Sequence, residues 1–218
     1  MRALMLRMRM HANTLNAHAP AGDALLEFAA ALSDPHDALA TWAPGSHPCG
    51  DSAGHARPWP GIECDAPAGS VVGLDLSGKG LGGQLGASLA DVETLRSIDL
   101  HNNSVSGGLP AAWAGLRFLD YLDVSSNALN GTLPAALGSL GSLQHLDASC
   151  NALTGTLPAA WSGMAMIEVL DLSHNQLTSS LPESWGRLAF LSSLSLRNNS
   201  LEGSLPASWS AQTQLLQL

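Results

Sequence analysis

Asparagine recurs every 24 residues through most of this chain, always at the same place in a frame of apolar residues. The five copies are Asn103, Asn127, Asn151, Asn175 and Asn199. A leucine or isoleucine stands five residues before each asparagine, and a proline stands seven residues after it. An uninterrupted period of this kind predicts a solenoid of stacked coils rather than a globule with one central core. A solenoid has a long, shallow surface, which favours binding over catalysis as the function.

Each unit divides into parts with different physical properties. Residues 170–172 alternate apolar and polar side chains, which is typical of a short strand with one buried face. The asparagine that follows has two donors and an acceptor, so at a buried turn it can satisfy backbone groups of its own coil and of the next. In residues 153–158, glycine permits a tight backbone and proline ends pairing. Apolar residues at spacing three, as at Trp161, Met164 and Ile167, then indicate a loose helical or 3₁₀ wall on the convex side.

The segment LDVSSNALNGTLPAALGSLGSLQH, residues 122–145, resembles the plant-type leucine-rich repeat of receptor-like kinases and receptor-like proteins. Six repeats fit this pattern, starting at Leu74, Ile98, Leu122, Leu146, Leu170 and Leu194. The resemblance implies an α/β leucine-rich repeat solenoid, a right-handed curved superhelix with short parallel strands on its concave face and 3₁₀ or loop structure on its convex side. Four positions depart from the pattern: Lys79 in the asparagine place, Gly86 in the proline place, Ser179 in a glycine place and Gln212 in an apolar place.

The region before the repeats is predicted to form a helix. In residues 23–42, one helical face would carry Ala24, Leu25, Phe28, Ala29 and Leu32. Asp23 is the expected N-cap, and Asp34 with Pro35 is the expected stop. An apolar helix face here provides the cap that a solenoid needs, because the first coil would otherwise leave its apolar end in water.

Further residues of this region resemble the N-terminal cap of plant leucine-rich repeat ectodomains. They are Trp42, the Pro48-Cys49 pair and the Trp-Pro-Gly-Ile-Glu-Cys sequence at 59–64. The resemblance implies a disulfide between Cys49 and Cys64. A disulfide of this kind implies an oxidising compartment.

These patterns predict three parts of the chain. Residues 1–20 form a disordered or mis-assigned tail, residues 21–70 form the cap, and residues 71–218 hold six repeats and the start of a seventh at Leu215 and Leu218. Arginines at positions 7 and 9 interrupt the apolar run of the tail, so it makes a poor signal peptide. We therefore expect a mis-assigned or truncated N-terminus on a fragment of a longer protein, with an Arg-rich organelle-targeting segment as the alternative.

Charge separates the tail from the rest of the chain. Residues 1–22 contain three arginines and no acidic residue, whereas the remainder has 6 basic and 18 acidic residues, a net charge of −12. An acidic body argues against nucleic acid as a partner and favours a neutral or cationic one. No stretch approaches the ~20 apolar residues of a membrane span.

The outward positions of the predicted strands would line the concave face. The residues there that depart most from the repeat consensus are the predicted ligand-binding residues: Tyr121, His145, Val169, His174, Arg197 and His101. Tyrosine and arginine often dominate binding interfaces, and histidine titrates near pH 6.5 when unperturbed. A peptide, protein or glycan is the expected ligand, and a co-receptor is a further candidate partner.

Other polar groups suggest chemistry less strongly. A column of aspartates at positions 75, 99, 123, 147 and 171 suggests paired carboxylates for general acid–base work or for calcium, but Leu-Asp-Leu-Ser is ordinary consensus in this repeat family. Cys150 and His174 occupy the same position in neighbouring repeats, and they suggest a cysteine–histidine nucleophile or half of a metal site. His47 and His55 near the cap cysteines suggest zinc, which fits less well than a disulfide. We predict no catalytic residue, no metal site and no cofactor.

Three sequons, at Asn102, Asn130 and Asn198, are candidate glycosylation sites. With the cap, they imply an extracellular or plasma-membrane location. The resemblance as a whole implies a non-enzymatic recognition module of a receptor-like kinase or receptor-like protein. The alternatives are a free secreted binder, such as an inhibitor of wall-degrading hydrolases, and an enzyme that uses Cys150 and His174.

Overall fold

The computed structural model describes residues 19–50, 57–65 and 69–212. Most of the tail predicted at 1–20, and the predicted start of a seventh repeat, lie outside the described residues. The cap begins with helix α1 (Ala19–Ala30). A short antiparallel pair, β1 (Leu32–Ser33) with β4 (Gly82–Gly83), joins the cap to the first coil.

The main sheet confirms the predicted stack of strands. Its members are β2 (Ile62–Cys64), β3 (Val71–Asp75), β5 (Ser97–Asp99), β7 (Tyr121–Asp123), β9 (His145–Asp147), β11 (Val169–Asp171) and β13 (Ser193–Ser195). The strands from β3 onward are parallel, and β2 of the cap pairs antiparallel with β3. Each repeat leucine pairs with the residue 24 positions later, as Leu122 does with Leu146. Equivalent residues of consecutive repeats therefore lie side by side across the sheet. We call the outward side of this sheet the concave face.

A second parallel sheet was not predicted from the sequence. It contains β6 (Ser106–Gly107), β8 (Ala128–Thr132), β10 (Ala152–Thr156), β12 (Gln176–Ser179) and β14 (Ser200–Leu201). Its strands pair at a step of 22 residues instead of 24, as in Thr154 with Gln176. Within β10, Gly155 has a φ of +80°, a backbone conformation that glycine adopts without strain. The glycine that the sequence analysis assigned to a tight backbone therefore lies inside a strand.

The convex side is a wall of 3₁₀ turns, as predicted. The turns are Ala87–Asp91, Ala111–Gly115, Ala135–Ser139, Ala159–Gly163, Glu183–Arg187 and Ala207–Ala211. The tryptophans of this wall are buried, and those at positions 161, 185 and 209 stack, with the rings of Trp161 and Trp185 6.2 Å apart. The Nε1 of Trp161 donates to the carbonyl of Pro134 on the preceding coil at 2.9 Å. These tryptophans are therefore core residues that also bond neighbouring coils.

The asparagine ladder links consecutive coils. Asn175 Nδ2 donates to the carbonyl of Ala148 at 2.9 Å and to that of Leu172 at 3.1 Å. Its Oδ1 accepts from the backbone N–H of Leu153 at 3.0 Å. The predicted bonding of backbone groups in two coils is confirmed, and the second coil is the preceding one rather than the next.

The cap confirms the disulfide and corrects the helix boundary. Cys49 and Cys64 are bridged, with their Cα atoms 5.9 Å apart. The helix starts at Ala19, so Asp23 lies inside it and is not the N-cap; proline at position 20 is tolerated in a first helical turn. It ends before Leu32, which belongs to β1.

The asparagine ladder predicts that Asn175→Ala lowers the free energy of unfolding more than Asp147→Ala does. Asn175→Ala removes the donors and the acceptor that satisfy buried backbone groups, so we expect a loss of ~1–3 kcal/mol in the free energy of unfolding. Asp147→Ala, the control, removes a carboxylate that bonds one backbone N–H, from Ser149, among like charges. Urea denaturation measures both. Equal losses would contradict the ladder argument.

The second sheet predicts a stabilising substitution. Ser179 has a φ of +79° where the equivalent residue of the preceding repeat is Gly155. A non-glycine residue in this region is strained by about 1–2 kcal/mol, so Ser179→Gly should raise the melting temperature. The reverse change, Gly155→Ser, should lower it, since a Cβ there would lie 2.9 Å from a carbon of Thr132. Calorimetry of the two variants checks the pair.

Candidate functional site

The centre of the concave face is a row of three predicted ligand-binding residues. Tyr121, His145 and Val169 occupy the same position in β7, β9 and β11, and they pair in register. Parallel neighbours lie ~4.8 Å apart, so the three side chains form one continuous surface. The structure thus brings together an aromatic ring, an imidazole and an aliphatic side chain.

Tyr121 and His145 stack on one another. Their ring centroids are 4.7 Å apart and their planes differ by 11°. The Tyr121 hydroxyl donates to Asp123 Oδ2 at 3.4 Å. Burial, followed by the nearby carboxylates, raises the pKa of Tyr121 to about 12, so its hydroxyl stays protonated at neutral pH. The pair offers a ligand a flat face with a polar edge.

Beside this row lies the aspartate column. Five carboxylates stand in register across β3, β5, β7, β9 and β11. Each accepts the backbone N–H two residues further on, at 2.8–3.1 Å. The column therefore has a structural role in turning the chain out of each strand. It also makes the concave face acidic.

The charges of this column affect its members differently. Burial raises the pKa of Asp147, and the flanking Asp123 and Asp171 carboxylates act in the same direction. Asp75, at the end of the column, has a lowered pKa because the Ser77 hydroxyl and N–H bond it. Burial with like charges on both sides therefore disfavours ionisation of Asp147, whereas hydrogen bonds favour ionisation of Asp75.

The remaining predicted residues lie apart from the central row. His174 follows β11 in a left-handed conformation, and its imidazole nitrogens are 3.1 and 3.2 Å from Asn198 Nδ2. His101 and Arg197 occupy one column four coils apart, which corresponds to about 19 Å. The His101 Nδ1 lies 2.8 Å from Asp99 Oδ1, and this hydrogen bond raises the pKa of His101. The six residues line one face without converging on one point.

Two alternative sites suggested by the sequence are a zinc site at the cap cysteines and a site formed by Cys150 and His174. The disulfide consumes both cap cysteines, which excludes the zinc interpretation based on them; His55 lies outside the described residues. Cys150 is a free, exposed cysteine. The sequon asparagines Asn102, Asn130 and Asn198 are all exposed, and their glycosylation stays a prediction.

Sequence reasoning missed the role of the aspartates as partners of the predicted binding residues. Asp123 bonds the Tyr121 hydroxyl and Asp99 bonds the His101 ring. The available signal was the alternation of side chains along a strand, because an aspartate two residues from a predicted binding residue faces the same side of the strand.

Models of two known sequence families match this chain. The model described as Leucine rich repeat matches residues 93–153, 119–177 and 141–201, and the Leucine rich repeat N-terminal domain matches residues 18–65. The chain belongs to the leucine-rich repeat family. A search of curated proteins found no match.

Several solved structures of plant receptors resemble this leucine-rich repeat chain. The Arabidopsis receptor kinase HAESA, in complex with the peptide hormone IDA and the co-receptor SERK1, is 31% identical over 90% of this chain, with a TM-score of 0.80. The ectodomain of Arabidopsis GASSHO1/SCHENGEN3, in complex with CASPARIAN STRIP INTEGRITY FACTOR 2, is 31% identical over 89%, with a TM-score of 0.81. The chain spans 32% and 23% of these two proteins, respectively.

A shorter structure also resembles the chain. In the Arabidopsis BIR3–SERK2 complex, 84% of this chain matches 95% of its counterpart at 28% identity, with a TM-score of 0.71. Together these neighbours identify a plant-type receptor ectodomain architecture. Among the residues that the structure describes, no helix combines the length and apolar character needed to cross a bilayer.

The aspartate column predicts a pH-dependent stability. Because the pKa of Asp147 is raised in the folded state, its ionisation destabilises the fold, and this loss grows as pH rises from about 3.8 through the raised pKa. Asp147→Asn should therefore raise the melting temperature at pH 7 and have little effect at pH 3. Asp75→Asn is the control of opposite sign. Because the pKa of Asp75 is lowered in the folded state, ionisation of Asp75 stabilises the fold, and this stability is fully present above about pH 3.8. Melting curves at both pH values check it, and a pH-independent gain for Asp147→Asn would contradict it.

Proposed function

We propose that this chain is an extracellular recognition module that binds a peptide or protein ligand on its concave face, as part of a receptor-like kinase or receptor-like protein. The observation that carries the proposal is the in-register row of Tyr121, His145 and Val169 across three neighbouring strands. These side chains are not required by the coil, since the same positions of other coils hold Ser97 and Ser193.

The chemistry of the face favours an extended ligand with neutral or cationic groups. A chain lying across the strands would contact the aromatic and aliphatic row, with basic side chains over the aspartate column. His174 with Asn198, and Arg197, would contact the part of the ligand nearest the last coils. Tyrosine and arginine supply large contact areas and several donors, which is why they dominate many interfaces.

Comparison with receptors supports the same proposal. HAESA is bound to a peptide hormone and a co-receptor in the structure that resembles this chain. By analogy, we propose a peptide ligand for the concave face and a co-receptor as a second partner. The Cys49–Cys64 disulfide supports an extracellular location, because such bonds persist in oxidising compartments. The proposal assigns no catalytic residue.

The binding proposal can be tested with a phage-displayed library of random peptides panned on the wild-type protein. Enriched peptides should lose affinity for Tyr121→Ala and Arg197→Ala variants, by about 2 kcal/mol, or roughly thirtyfold, where the residue is a hot spot. Arg187→Ala, on the convex wall, is the matched control and should bind like the wild type. Biolayer interferometry measures each affinity.

The result that would overturn the concave assignment is a set of peptides that binds both concave variants normally but loses affinity for the convex control. A separate observation distinguishes a receptor from a secreted inhibitor of hydrolases. A coding sequence with a downstream span of ~20 apolar residues and a kinase signature would establish the receptor.

A further inference from the structure

Three side chains of metal-ligating type meet on two neighbouring coils of the concave face. They are Asp99, His101 and Asp123, and one ligand atom from each lies within 4.8 Å of the other two. Within the described part of the chain, this is the one such group of three histidine, cysteine, aspartate or glutamate side chains. The repeat pattern predicts no metal site here, because the aspartates and His101 occupy different positions of the repeat.

Strand register explains why these three groups converge. Asp99 and Asp123 are paired in register on β5 and β7. His101 follows Asp99 by two residues and lies on the same side of the chain, with its Nδ1 2.8 Å from Asp99 Oδ1. Two elements of the fold, the strand pairing and the alternation along the chain, thus place these three side chains next to one another on the concave face.

Both carboxylates are already oriented by the backbone. Asp99 Oδ1 accepts the N–H of His101 at 3.1 Å, and Asp123 Oδ1 accepts the N–H of Ser125 at 2.9 Å. The Tyr121 hydroxyl bonds the other oxygen of Asp123 at 3.4 Å. Hydrogen bonds of this kind hold metal ligands in place and raise the affinity of a site.

The repeat provides an internal comparison. Asp147 and Asp171 form an equivalent in-register pair two coils further on, but Ser149 stands where the first pair has His101. The carboxylates of both pairs bond backbone N–H groups, so the aspartates have a structural explanation throughout the column. The imidazole is the added group, and nothing in the coil requires it, because serine serves the same position in four other coils.

We propose that Asp99, His101 and Asp123 bind a divalent first-row transition metal of the zinc class. One imidazole and two carboxylates form a donor set that Zn²⁺ accepts, whereas Ca²⁺ and Mg²⁺ prefer oxygen ligands alone. Three protein ligands leave a coordination position open to water or to an anionic group. A divalent cation here would also neutralise the charge of the two carboxylates beside the Tyr121–His145 stack. This site does not depend on the proposed peptide-binding function.

The test is isothermal titration of the whole chain with zinc chloride in a buffer that does not chelate zinc. His101→Ser introduces the residue that other coils carry, so the fold should be retained, and circular dichroism with a melting curve verifies this. The wild type should show one saturable site that His101→Ser removes. Asp123→Asn should weaken the same site at least tenfold.

Two matched controls separate this site from other zinc contacts on the surface. His145→Ser removes a concave histidine outside the triad, and Asp171→Asn removes an equivalent aspartate without a histidine. Both should retain the wild-type zinc isotherm. The proposal is overturned if His101→Ser binds zinc as the wild type does, or if the controls lose the site to the same extent.

Discussion

One asparagine side chain in each coil after the first holds this solenoid in register, and the rest of the structure depends on it. Each amide bonds carbonyls of its own coil and of the preceding one, while its oxygen takes a backbone N–H of the preceding coil, as at Asn175. Leaving a buried backbone group unpaired costs ~1–3 kcal/mol, so a coil without this residue would have to expose its turn to water. On the opposite wall, tryptophan Nε1 groups repeat the arrangement, as in the bond from Trp161 to Pro134. The leucine rows pack between these two sets of bonds.

Because the register is fixed, residues at the same position of consecutive repeats are neighbours in space. A residue type that recurs at one position therefore forms a column of adjacent side chains. In the aspartate column this arrangement has one favourable and one unfavourable effect. Each carboxylate satisfies a backbone N–H in its own coil, yet the column places like charges on adjacent strands and contributes to the raised pKa of Asp147. The local benefit recurs in every coil, and the repulsion is a consequence of stacking. An acidic concave face follows from the construction of the coil.

Departures from the repeat then give this acidic face its individual chemistry. Tyr121 and His145 replace serine in one column and stack at 4.7 Å, and His101 replaces serine in another, 2.8 Å from Asp99. The proposed ligand surface and the proposed metal site both rest on these substitutions. The coil itself does not need them, which makes substitution back to serine at His101 an informative experiment.

The 24-residue repeat by itself determined the strands of the main sheet, the buried leucines, the asparagine ladder and the convex wall, because each depends on one repeating local pattern. Resemblance to the plant-type cap supplied the Cys49–Cys64 pairing. The start of α1 at Ala19 was missed, since Asp23 satisfies a local capping rule, whereas the helix begins four residues earlier. The second sheet was also missed, because glycine and proline after the asparagine predict an end to pairing, whereas these segments pair with the next coil at a step of 22 residues. Likewise, the sequence placed Tyr121, His145, Asp99, His101 and Asp123 in columns, but only the tertiary structure decided which side chains touch, because contact depends on side-chain rotamers that a period does not specify.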